Sequence, residues 1–100
     1  MSLRKQQSKF ALLTAHLILH AYNEGYELTF GDAWAHDGHI ENSLHYSRLA
    51  IDLNLFKDGF FLTSTEAHSE LGEYWESLDP DCRWGGAWDD GCHYELNARG

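Results

Sequence analysis

The sequence predicts an α+β domain in which helical and extended segments alternate along 100 residues. Two stretches carry apolar residues at helical spacing, and one run alternates as a strand does. Gly, Asp and Pro punctuate the joints between them. This length suits one domain, read here as residues 1–100 without a linker or repeat.

The first helix is expected over residues 4–23. Phe10, Leu13, Leu17 and Ala21 return to one face, and Leu12, Ile18 and Leu19 widen it. Asn23 and Gly25 supply the stop. Residues 26–30 read as a short strand broken at Gly31-Asp32, and residues 31–44 as a long loop rich in Gly, Asp, His and Asn. In residues 49–56, Leu49, Ile51, Leu53 and Leu55 face one way, and Ala50, Asp52, Asn54 and Phe56 the other. Lys57-Asp58-Gly59 is a turn, and residues 60–62 return as a hairpin partner. Thr63-Ser64-Thr65-Glu66 fits a capping box and opens a second helix with Ala67, Leu71, Tyr74, Trp75 and Leu78 on one face. Asp79-Pro80 ends that helix. Residues 83–88 and 93–96 are two further strands around an Asp-Asp-Gly-Cys turn.

Seven basic residues against sixteen acidic ones give a net charge of −9. A phosphate backbone rewards Lys and Arg, so nucleic acid is excluded as a partner. The charge is polarised: Arg4, Lys5 and Lys9 stand in residues 1–23, and every acid follows. No apolar run nears the ~20 residues of a spanning helix, so no membrane insertion is expected. The basic N-terminus and the stretch 10–19, interrupted by Thr14 and His16, make a poor signal peptide, and cytoplasmic synthesis is expected. Cys82 and Cys92 are too few for a disulfide framework and read as free thiols.

The chemistry concentrates in a few polar residues. Asp52 interrupts an apolar strand, where a lone carboxylate is costly unless something pairs with it. His45 stands seven residues before it, His93 opens the last strand, and Asp90 precedes His93 by three. Two His and one Asp make a three-ligand zinc set with a fourth position left for water, as catalytic zinc sites have. A nearby carboxylate supplies the general base.

The order and spacing sharpen this. The run Ser43-Leu44-His45-Tyr46-Ser47-Arg48-Leu49-Ala50-Ile51-Asp52-Leu53 resembles the Ser-x-His-x6-Asp motif of zinc D-Ala-D-Ala peptidases, and Asp90-Gly91-Cys92-His93 resembles their closing acid-x-x-His motif. Residues 49–59, 71–78 and 83–86 are most similar to the bacteriophage endolysin branch, which cleaves the L-Ala-D-Glu bond. The resemblance implies a small antiparallel sheet with helices packed against it, as in the hedgehog and D-Ala-D-Ala peptidase folds. It implies Zn2+ held by His45, Asp52 and His93, Asp90 as general base, and Ser43 beside the first ligand. The implied substrate is a peptidoglycan stem peptide, cut by a monomer that reaches the wall after holin-dependent release. D-Ala-D-Ala carboxypeptidase activity, or a zinc-bearing binding module without turnover, are the alternatives.

The chain departs from that pattern at three places. Ala35 follows Trp34 where many members carry an oxyanion-stabilising Arg, leaving His36, His39 or Arg48 as substitutes. Ser47 or Arg48 replaces a Gly of the first motif, and Cys92 stands where phage relatives often have Asn. Trp34, Trp88 and Tyr94 are candidates to line a substrate groove, and Trp84 reads as core. His16 and His20 stand four apart on the first helix, but Leu17 occupies the place of the Glu in a His-Glu-x-x-His motif. They read as surface residues, as does His68.

Overall fold

A computed structural model describes residues 1–33 and 44–97 of the chain. Helix α1 spans Leu3–Asn23 and α2 spans Ser69–Leu78. The strands are β1 (Glu27–Phe30), β2 (Ala50–Lys57), β3 (Phe60–Leu62), β4 (Cys82–Trp84) and β5 (His93–Leu96). Every strand pairing is antiparallel, in the order β1-β2-β5-β4, with β3 also on β2. The expected α+β architecture is therefore present.

Strand β2 is the spine. Its last residues pair with both β1 and β3, and its first three pair with β5. Alternation along β2 sends Leu49, Ile51, Leu53 and Leu55 into a core shared with Tyr94, Leu96 and Cys82. The apolar stripe of α1 (Phe10, Leu13, Leu17, Ala21) and Leu71 and Trp75 of α2 close that core. Trp75 is the keystone of the α2 contact. Its indole N–H donates to the carbonyls of Arg83 (3.1 Å) and Glu95 (3.0 Å), and its ring meets Phe10 and Tyr94 edge-on. The amphipathic character of the indole is thus fully used.

The structure corrects several expectations. Residues 83–88 do not form one strand: β4 stops at Trp84, and residues 85–88 make a 3₁₀ turn. The paired glycines offer no side chain to a strand, and a Cβ on Gly86 would lie 2.3 Å from the Trp84 ring. The expected capping box does not open α2: a 3₁₀ turn at Glu66–His68 precedes it, with Ser64, not Thr63, accepting from the Ala67 N–H at 3.2 Å, and His68 at the N-cap of α2 makes no side-chain cap. His68 is buried rather than solvent-facing, with Nδ1 2.9 Å from the Tyr94 hydroxyl. Tyr94 is itself fully buried on the core face and lines no groove.

Trp84 is half-buried and wedged between glycines. A Cβ on Gly72 would lie 2.1 Å from the indole, and the indole N–H donates to the Gly91 carbonyl at 2.7 Å. Gly72→Ala gains about 1 kcal/mol of helix propensity. Displacing the anchored indole outweighs that, so a net loss on the order of 1–2 kcal/mol is expected. A lower urea midpoint in equilibrium unfolding is the check.

Burial holds the His68 imidazole below its ordinary value of 6.5, against a weaker opposing pull from Asp90. The folded state therefore keeps His68 neutral where the unfolded chain takes up a proton. Stability from this residue is complete above the unfolded value and falls as pH drops below about 6.5. His68→Gln should flatten the stability profile between about pH 5 and 7. Urea titrations of both proteins across that range measure the difference in slope.

Candidate metal centre

Asp52 and His93 are placed by the β2–β5 register, which sets them directly opposite each other. Both project from the sheet face away from the helices, since Ile51 and Tyr94, the preceding pair in register terms, face the core. His45 arrives from a 3₁₀ turn at Leu44–Ser47 that runs straight into β2. Arg48 ends the turn in the left-handed region (φ 57°), and the Leu49 N–H returns to the Leu44 carbonyl at 2.9 Å. The His45 imidazole is thereby folded back, buried, over the start of the strand.

Three donor atoms converge. His45 Nε2 lies 3.1 Å from His93 Nδ1, and Asp52 Oδ1 lies 3.3 Å from the first and 3.4 Å from the second. A tetrahedral zinc with N and O ligands at about 2.0–2.1 Å separates its donors by about 3.3 Å. Asp52 Oδ1 is shut off from solvent and accepts no hydrogen bond among the described residues. A buried oxygen facing two ring nitrogens at this spacing fits a divalent cation, and the three residues could hold one.

The neighbours of His93 reinforce a cationic centre. Glu95, two residues along β5 and so on the same face, accepts at 2.7 Å from His93 Nε2. This is the carboxylate–histidine arrangement that fixes the tautomer of a metal-binding imidazole. Burial alone would lower the His93 value, but the Asp52 carboxylate 3.4 Å from Nδ1 and the hydrogen-bonded Glu95 outweigh it and push it up to about 9. Burial likewise opposes charge on Glu95, yet the His93 bond, the charges of His93 and Arg83, and the Asn97 amide hold its carboxyl below the ordinary range. The pocket favours positive charge between two carboxylates, which a metal ion supplies as well as a proton does.

Asp90 sits on the turn that feeds β5. Its N–H donates to the Gly85 carbonyl at 2.9 Å, and its own carbonyl accepts from His93 at 3.1 Å. That approach requires glycine, because a Cβ on Gly85 would lie 2.2 Å from the Asp90 carbonyl oxygen. Asp89 beside it is left-handed (φ 59°) and accepts from the Thr65 hydroxyl at 2.9 Å. Asp90 Oδ2 comes within 4.0 Å of His93 Nδ1, on a half-exposed side chain. The Cys92 thiol lies 3.6 Å from Asp90 Oδ1, and burial, then the charges of Asp52 and Asp90, push it up to about 12. In this geometry the thiol is placed to donate to Asp90.

The structure thus brings together His45, Asp52, His93 and Asp90. Trp88 stands at the rim, 45% exposed, its ring 5.7 Å from that of His93. Arg48 lines a separate groove against α1 with Gln7, Ala11 and Phe30, and none of the three donor residues is in its walls. Ser43, His36, His39, Trp34 and Ala35 lie outside the described residues. Sequence reasoning missed Glu95. Its signal was available, since two-residue spacing from His93 in a strand puts both side chains on one face.

An antiparallel sheet backed by two helices carries, on its face away from them, two imidazoles and a carboxylate placed to hold a metal ion, a donor set that catalytic zinc sites use. A family profile described as D-alanyl-D-alanine carboxypeptidase matches residues 36–96, more than half of the chain. The chain belongs to this family of zinc peptidases acting on D-Ala-D-Ala-type substrates. No curated protein gives a significant match.

Glu95→Gln should keep the fold and lower zinc affinity by roughly 10–100-fold, because the amide no longer polarises His93. Competition against a chromophoric chelator measures the change.

Proposed function

We propose that this chain is a zinc peptidase of peptidoglycan stem peptides that cleaves the L-Ala-D-Glu bond. His45, Asp52 and His93 hold the metal, and Asp90 is the general base. The observation that carries this reading is the convergence of three donor atoms 3.1–3.4 Å apart with the Asp90 carboxylate beside them. The choice of bond rests on the likeness of residues 49–59, 71–78 and 83–86 to the phage endolysin branch. On this reading the protein acts as a monomer at the cell wall, after release from the cell that made it.

Zinc, when bound, supplies a Lewis acid that polarises the scissile carbonyl and acidifies water. The chain's own residues do the rest. Asp90, half-exposed and next to His93, takes the proton of the attacking water and returns it to the leaving amine. Glu95 holds the His93 ring in one orientation. Asp52 adds the one negative charge of the donor set, which leaves a divalent ion net positive. Trp88, exposed beside His93, offers an apolar wall to the peptide.

The family description favours a second reading, removal of a terminal D-Ala. Both bonds use the same donors, so products must decide. Purified peptidoglycan is incubated with zinc-loaded protein and the released peptides are identified by mass spectrometry. Peptides with a new D-Glu N-terminus are expected, and Asp90→Asn should slow their release by about 10²–10⁴-fold. Loss of single D-Ala residues would establish the carboxypeptidase instead. Stoichiometric zinc without any release would sink both and leave a binding module.

A further inference from the structure

A second group of metal-ligating side chains lies at the junction of the two helices. His20 is in the last turn of α1, Glu24 is the residue after it, and Glu70 is in the first turn of α2. One ligand atom from each comes within 4.8 Å of the other two. His20 Nε2 lies 3.8 Å from Glu70 Oε1, beyond hydrogen-bond reach. That nitrogen is shut off from solvent and has no hydrogen-bond partner among the described residues. The ring is also fixed, stacked on Tyr74 with centroids 3.8 Å apart and planes 4° from parallel. An enclosed, unpartnered ring nitrogen calls for a water or an ion, and here two carboxylates stand next to it. The enclosed Asp52 oxygen of the first centre shows the same signature.

We propose that His20, Glu24 and Glu70 form a second zinc site, distinct from the centre on the open face of the sheet. One neutral imidazole and two carboxylates balance a divalent charge, and zinc accepts both donor types. Glu24, the residue that caps α1, follows His20 by four and so lies on the same side of the helix end. Both glutamates are exposed, so their side chains can close on the ion without moving the backbone, while Tyr74 keeps the imidazole in place. The ion joins the end of α1 to the start of α2, which makes the site a structural clamp. His16, one turn earlier and exposed, is not in the group. This inference does not rest on the peptidase reading.

The test is equilibrium dialysis of the full chain against Zn2+ alone, with bound metal counted by mass spectrometry and melting followed alongside. His20→Phe keeps a ring on Tyr74 and removes the ligand. It should bind one zinc fewer than wild type and lose part of the zinc-induced rise in melting temperature. Glu70→Gln should weaken the same equivalent and leave the tighter one unchanged. Equal zinc counts in wild type and both variants would overturn the proposal. If the first centre took no zinc at all, wild type would still exceed His20→Phe by one equivalent, so the two readings fail separately.

Discussion

The register between β2 and β5 is the constraint on which everything else depends. It sets Asp52 opposite His93 and, one step along, Ile51 opposite Tyr94. One pair belongs to the candidate centre and the other to the core. A one-residue slip of β2 would turn Asp52 toward the helices and Ile51 away from them, out of step with His93 and Tyr94. The hydrophobic effect therefore enforces the site geometry indirectly. Burying Leu49, Ile51, Leu53 and Leu55 against α1 and α2 fixes which face of β2 turns inward and so rules out every one-residue slip.

The open face then gathers charge that the core face could not hold. His93 contacts Asp52 on one side and Glu95 on the other there, with Arg83 at 4.0 Å from Glu95 as a distant partner. The two carboxylates are tolerable because the pocket between them favours positive charge, from a proton or from a metal ion. Glu95 ties the two faces together: its carbonyl receives the Trp75 indole on the core side while its side chain holds His93 on the other.

Much of this was legible in the chain. Strict alternation over residues 49–56 separated the two faces of β2, and the resemblance of residues 43–53 and 90–93 to a peptidase motif pair pointed to His45, Asp52, Asp90 and His93. What escaped reading depended on contacts distant in sequence. His68 looks like a surface residue of a second helix until Tyr94, twenty-six positions later, supplies a buried hydroxyl for it. The packing of the Trp84 indole against Gly72, twelve positions earlier on α2, is likewise encoded by no local propensity. Tyr94 has the composition of a groove residue, and only the pairing of β5 with β2 assigns it to the core.

Strand β5 has no residue to spare. All four positions of His93–Leu96 are buried, two committed to the core and two to the charged face, and its backbone is paired on both edges. By contrast β1 and β3 are mostly exposed. Neutral drift in a lineage of this protein can therefore run along the outer strands while β5 stands still. A change there disturbs its partner across the strand, or Trp75 beneath it, as well.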